Sequence, residues 1–264
     1  MKLSDTSCFL FDMDGTLYLG DNLLPGAKDI LTYLDEVGVP FFLLTNNSSR
    51  SKIDYVKKLE KFGLDIPEER IFPSGEATAI YLSKQKPGAR LYVVGTPSLE
   101  KEFSSHGFQL VDEDPDYVVL GFDTTLTYEK IWNICDFVRE DIPYIGTHPD
   151  INCPTENGFM PDIGAMMEMI ASSTGKRPDV IVGKPYPPIV EAVAEKTGFP
   201  LEQLTMVGDR LYTDIAMGRA GIKTVLVLSG ETKREDLADA PHQPDFVMEN
   251  VGELLRTLQE ESRR

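Results

Sequence analysis

Apolar residues along this chain gather into short unbroken runs that stop abruptly at polar clusters. Cys8-Phe9-Leu10-Phe11 ends in Asp12-Met13-Asp14-Gly15-Thr16, and Pro40-Phe41-Phe42-Leu43-Leu44 ends in Thr45-Asn46-Asn47-Ser48-Ser49. Runs of this kind, without polar alternation, are the pattern of strands buried on both faces. Between them the period changes. Pro25 opens a stretch carrying Ile30, Leu31 and Leu34 that closes near Gly38, and Ile53, Val56 and Leu59 repeat the spacing up to Gly63. Both stretches predict helices. The succession returns near the C-terminus, where Val180-Ile181-Val182 precedes Gly183-Lys184-Pro185 and Thr205-Met206-Val207 precedes Gly208-Asp209. Lys223-Thr224-Val225-Leu226-Val227-Leu228 then precedes Ser229-Gly230. Strand–helix alternation predicts an α/β fold with a parallel sheet wrapped by helices.

The middle of the chain has its own rhythm. Arg90-Leu91-Tyr92-Val93-Val94 and Tyr117-Val118-Val119-Leu120 predict two further strands, with helices around 99–106, 129–139 and 164–172. A stretch of about a hundred residues can hold a core of its own. Its edges fall near 73–75 and 175–180, both rich in Pro, Gly and polar residues. The chain therefore divides into a core from 1–75 and 180–264 and an inserted α/β domain over 76–179. Leu254, Leu255 and Leu258 predict a closing amphipathic helix, and no repeat of solenoid length is present.

Composition narrows the function. A formal net charge of −17 over 264 residues argues against nucleic acid and against an anionic membrane surface, since both are bound through Lys and Arg. No apolar stretch approaches the ~18–20 residues of a membrane helix. Asp5 interrupts any signal peptide. Cys8, Cys135 and Cys153 form neither a disulfide framework nor a C-x-x-C metal knuckle and read as buried thiols in a reducing cytoplasm.

In parallel sheets the ligand site lies beyond the carboxyl ends of the strands. Asp12, Asp14, Thr45, Lys184 and Asp209 all follow predicted strands, so residues far apart in sequence are expected to converge. Asp12 and Asp14 flank one residue and point to one side of an extended chain. With Asp209 they make an oxygen-rich nest suited to Mg2+. A carboxylate can attack phosphorus, and a neighbouring carboxyl can protonate the leaving oxygen and then activate water. Thr45 can donate a hydrogen bond to phosphate, and Lys184 can balance charge on a transferring phosphoryl group. Each feature has a plainer counterpart: an acidic turn, a Ser/Thr/Asn turn, a surface lysine, and helix capping at Asp209 and Asp214. An EF-hand reading fails, because Leu17 and Leu23 stand where the loop needs Gly and Glu.

Taken in order, Asp12-x-Asp14-Gly15-Thr16, Thr45 after an apolar strand, Lys184, and Gly208-Asp209-x4-Asp214 resemble the four motifs of the haloacid dehalogenase superfamily, across essentially the whole chain. The insert resembles the C2 cap of subfamily IIA. Leu43-Leu44-Thr45-Asn46-Asn47-Ser48-Ser49 and Pro154-Thr155-Glu156-Asn157-Gly158 are similar to its NagD / p-nitrophenyl phosphatase branch. The resemblance implies a Rossmann-like parallel-sheet core with helices on both faces and an inserted α/β cap. It implies a Mg2+-dependent, cytoplasmic phosphatase acting on a small phosphorylated metabolite through a phospho-aspartate. Asp12 would be nucleophile and metal ligand, and Asp14 the general acid/base with its backbone carbonyl on the metal. Asp209 and Asp214 would complete the metal shell, Thr45 and Lys184 would bind the phosphoryl group, and Asn46 and Asn47 would line the site. A cap-mediated homodimer is also implied.

Sugar phosphates, glycerol phosphates, nucleoside monophosphates and pyridoxal phosphate all remain open as substrates. So do a phosphotransferase or mutase on the same scaffold, a receiver-like signalling module and a non-catalytic binding domain. Asp162 stands where the family often has Gly, and is expected either to shape the substrate pocket or to face solvent. His148 and Asp150 are expected in a solvated loop, with substrate contact as the alternative. His106 and His242 are expected at the surface.

Overall fold

A computed structural model describes residues 2–155 and 158–263. Glu156 and Asn157, part of the 154–158 segment quoted above, lie outside the described residues. In chain order the elements are β1 (Cys8–Phe11), β2 (Tyr18–Leu19), β3 (Asn22–Leu23), α1 (Ala27–Glu36), β4 (Phe41–Thr45), α2 (Lys52–Lys61), β5 (Ile71–Pro73), α3 (Ser74–Gln85), β6 (Arg90–Val94), α4 (Pro97–Ser105), β7 (Gln109–Leu110) and β8 (Tyr117–Leu120). They continue with α5 (Tyr128–Arg139), β9 (Tyr144–Gly146), β10 (Asn152–Thr155), β11 (Gly158–Pro161), α6 (Ile163–Thr174), β12 (Val180–Ile181), α7 (Pro187–Thr197), β13 (Leu204–Gly208), β14 (Lys223–Val227), β15 (Phe246–Met248) and α8 (Val251–Ser262). The chain forms two compact units. The first comprises Met1–Thr45, Val56–Phe72 and Val193–Arg264, the second Asn46–Tyr55 and Pro73–Ala192.

The first unit is built on a six-stranded sheet in the order β15-β14-β13-β1-β4-β5. β1 pairs in parallel with β13 on one side and β4 on the other, and β13, β14 and β15 continue in parallel. Every residue of β1, β13 and β14 is buried, which is why these strands carry no polar alternation. Helices cover both faces of the sheet. α1 buries Ala27, Ile30, Leu31 and Leu34 and packs against α8, which buries Val251, Leu254 and Leu258.

The second unit holds a five-stranded sheet in the order β12-β9-β8-β6-β7, parallel at every pairing. Its core gathers Val94, Val118 and Leu120 from the strands with Ile134, Val138, Ile163 and Ile170 from α5 and α6. The stretch 76–179 lies wholly inside this unit. β12, expected among the buried strands of the core, is instead the half-buried edge of this second sheet. A short β-branched run does not say which sheet receives it.

Two other differences have local causes. The 73–75 segment, expected only as an edge of the insert, ends β5 at Pro73 and opens the buried helix α3 at Ser74. A Cβ at Gly75 would lie 2.8 Å from Leu99 Cδ1 on α4, so the glycine serves close helix packing. Beyond Asp209 the expected helix is a short 3-10 segment over Ile215–Ala220, ended by Gly221 at φ +90°. Among the described residues no helix is long and apolar enough to cross a membrane, and the three cysteines are free thiols.

Candidate active site

The chain runs from β1 to β4 and β5 on one side, and later returns to β13–β15 on the other, so β1 and β13 form the point where strand order reverses. Open α/β sheets bind ligands at such a point. Parallel register sets Phe11 beside Val207, so Asp12 and Asp209 leave adjacent strands at the same end. Thr45, the last residue of β4, is 3% exposed at that end of the next strand.

Asp12, Asp209 and Asp214 are buried and offer carboxylate oxygens that all lie within 4.8 Å of one another. Asp209 is enclosed by main chain. Its Oδ2 accepts the Glu231 N–H at 2.7 Å, while a Cβ at Gly15 would come within 2.4 Å of that oxygen and one at Gly230 within 1.9 Å. Gly15 also has φ +89°, a left-handed conformation that disfavours side chains. Asp214 Oδ2 accepts the Arg210 N–H at 3.1 Å, and Arg210 Nε pairs with Glu231 at 3.0 Å. Burial, and secondarily the Asp214 charge, push the Asp209 carboxyl from its ordinary 3.8 up to about 7, against the pull of Arg210.

Asp14 stands apart from this trio. Its carboxylate is 4.0 Å from Lys58 Nζ and accepts the Tyr18 hydroxyl at 3.5 Å. Lys58 lies 3.9 Å over the Tyr18 ring. Nothing in the sequence singled out Lys58 or Tyr18, because neither sits in a motif.

Asn46, Asn47 and Lys184 belong to the second unit. Lys184 is 1% exposed. Asn46 uses both of its N–H groups within the unit, on Asp150 and on the Lys184 carbonyl. Asn47 Oδ1 accepts from the Ser49 N–H and hydroxyl at 2.9 and 2.7 Å, closing a local turn. His148, Asp150 and Asp162 are 0%, 5% and 2% exposed, so none of them lies in a solvated loop or faces water. Asp162 caps α6 through the Ile163 N–H at 2.6 Å. His106 is half-buried beside Glu102, at 3.5 Å from its carboxylate, and His242 is half-buried as well.

Two family models match the chain. One, described as haloacid dehalogenase-like hydrolase, covers residues 9–109, and another, described as HAD-hydrolase-like, covers residues 181–254. A solved 4-nitrophenylphosphatase from Thermotoga maritima is 48% identical with a TM-score of 0.94, the match covering 97% of this chain and 99% of that one. An acid sugar phosphatase of Staphylococcus aureus is 36% identical over 253 residues, 95% of this chain and 97% of the relative. The chain belongs to the haloacid dehalogenase-like hydrolases. A 5′-nucleotidase of Bacillus subtilis is 36% identical over 248 residues, 94% of this chain and 96% of that protein. Within the family the chain is NagD-like and a phosphoric monoester hydrolase.

In this haloacid dehalogenase-like hydrolase the acidic trio fits a divalent cation. Asp209 Oδ1 is buried and has no hydrogen-bond partner among the described residues. An unpaired carboxylate oxygen away from water is costly unless something positive meets it. The donor set is all oxygen, as a hard cation requires.

Proposed function

We propose that the protein hydrolyses a small organic phosphate monoester by way of a phospho-aspartate on Asp12, with Mg2+ held by Asp12, Asp209, Asp214 and the backbone carbonyl of Asp14. The observation that carries this reading is the buried trio with its orphaned Asp209 oxygen, whose member Asp12 stands two residues in sequence from Asp14, a carboxylate outside the trio. When bound, Mg2+ supplies positive charge against the phosphate oxygens. Asp12 attacks phosphorus in line, and the ester oxygen leaves with a proton from Asp14. Asp14 then takes a proton from water, which cleaves the acyl phosphate and regenerates Asp12. Thr45 and Lys184 bind the phosphoryl group, and the segment with Asn46 and Asn47 flanks it. Sugar phosphates and nucleoside monophosphates are the first substrates to try, a choice supported by relatives named acid sugar phosphatase and 5′-nucleotidase. The cytoplasm is the proposed compartment.

Phosphate release from p-nitrophenyl phosphate and a panel of metabolite phosphates, with Mg2+ and with EDTA, tests the reading. Metal-dependent release is expected. No release by folded protein with Mg2+ present would overturn it, and transfer to added alcohols in preference to water would mark a phosphotransferase. Asp14→Asn should slow both half-reactions, each by on the order of 10²-fold or more. Single-turnover phosphate release checks this, and unchanged turnover would remove Asp14 from the acid/base role.

The raised Asp209 value gives a pH dependence. Asp209 binds its proton more tightly in the folded protein than in the unfolded chain. The metal-free protein therefore loses this stabilisation as pH rises from about 4 through about 7. A bound cation favours the ionised carboxylate, so the gain in Tm on adding Mg2+ should be larger at about pH 8 than at about pH 5. A gain that does not change with pH would take Asp209 out of the ligand set.

A further inference from the structure

We propose that Asn46, itself anchored by Asp150, is a positioning residue that fixes the main chain of Lys184. The idea rests on the reading of Lys184 as a phosphoryl-binding group and concerns what holds that lysine in place. All the residues involved lie in the second unit. The Asn46 carboxamide grips Lys184 from both sides: Oδ1 accepts the Lys184 N–H at 2.8 Å and Nδ2 donates to the Lys184 carbonyl at 3.1 Å. This is the double bond pattern by which one strand residue holds another, made here by a side chain. The second N–H of Nδ2 donates to Asp150 Oδ1 at 2.9 Å.

That third bond reinforces the orientation of the amide. A reversed carboxamide would put its oxygen against a carboxylate and a carbonyl, and its NH2 group against the Lys184 N–H. Only the observed orientation satisfies all three neighbours: the two Lys184 main-chain groups already require it, and Asp150 holds the amide there with a third bond. Asp150 is in turn held beside His148, 3.9 Å from Nδ1, and His148 Nε2 lies 3.5 Å from Asp162. The Asn46 main chain is pinned as well, its carbonyl accepting the Ser74 hydroxyl at 2.5 Å. Room for the arrangement comes from Gly183. A Cβ there would sit 2.6 Å from His148 Cβ, 2.7 Å from Asn46 Oδ1 and 2.8 Å from the Thr147 carbonyl. A residue expected to line the site thus has its donors engaged one step behind the lysine.

Positioning predicts a pattern that a merely structural residue would not give. Asn46→Ala and Asp150→Ala should lower kcat/KM by roughly ten- to a hundredfold, the scale of a small misplacement of a charged group. They should also weaken competitive inhibition by inorganic phosphate. Asp150→Asn keeps an oxygen that accepts from Asn46 and should restore most of the activity. In a Lys184→Met background, assayed at high enzyme concentration, Asn46→Ala and Asp150→Ala should add little further loss, because the group they position is gone.

Wild-type kcat/KM in folded Asn46→Ala and Asp150→Ala proteins would overturn the proposal. Losses that multiply in full with Lys184→Met would do the same. Should Asn46→Ala not fold, Asp150→Ala carries the test, since it removes one of the three bonds on the carboxamide. Unchanged release by Lys184→Met would instead overturn the phosphoryl-binding reading, and this proposal with it.

Discussion

Asp12→Asn is expected to lower phosphate release by about four orders of magnitude or more, the scale seen when a covalent nucleophile is removed. That corresponds to roughly 5 kcal/mol of lost transition-state stabilisation. The amide has nearly the shape of the carboxylate but does not attack phosphorus. Asp12 is 8% exposed and its N–H bonds the Val207 carbonyl at 2.9 Å, a main-chain contact that the substitution leaves intact. The variant should therefore fold, with a Tm no lower than that of the metal-free parent, since one member of a buried like-charged trio has been neutralised. Steady-state release and circular dichroism on the same preparation check both halves. Appreciable turnover would end the covalent mechanism; a folded, inactive variant that also forms no alkali-labile, hydroxylamine-sensitive phosphoenzyme supports it.

Asp209→Asn has the second largest expected effect, and it moves stability and activity in opposite directions. The carboxylate is enclosed by Gly15 and Gly230, accepts the N–H of Glu231, and has an oxygen with no hydrogen-bond partner among the described residues. Without a cation, burial and then the Asp214 charge disfavour its ionised form and push its carboxyl up to about 7. Neutralising it should raise the stability of the metal-free protein at about pH 8, on the order of 1–3 kcal/mol, as when a buried uncompensated charge is removed. The gain should shrink toward about pH 4, where the parent carboxyl is protonated too. Metal-dependent release should fall at least ~10³-fold, because a ligand has been lost from a site whose cation stabilises the transferring group. Urea unfolding at the two pH values, with and without Mg2+, separates the effects. A variant less stable than the parent at both pH values would show that the bond to Glu231 outweighs the repulsion.

Much of the first unit was legible because its physics is local. A strand buried on both faces needs an unbroken apolar run, so β1, β4, β13 and β14 stand out as Cys8-Phe9-Leu10-Phe11 and its counterparts. Parallel strands in one sheet share a direction, so the polar residue after each run is carried to a common edge. Those two facts place Asp12, Thr45 and Asp209 together before any coordinate is known. Three-residue strands such as β5, β9 and β15 have no period to detect, and α3 was hidden by a Pro-Ser-Gly opening that looks like an edge of the insert.

The sequence by itself determined the order of the long apolar strands and the helices it could detect, the acids at the strand ends and the family those motifs resemble. Only the tertiary structure decided which partner each polar side chain takes. Asn46 meets Asp150 and Lys184 across 104 and 138 residues of chain. His148, Asp150 and Asp162, expected either at solvent or at the substrate pocket, are buried against one another. Val180 and Ile181 joined the second sheet as its edge. Backbone periodicity reports how a residue faces its own element, whereas a hydrogen-bond partner or a sheet neighbour is chosen by packing among elements distant in sequence.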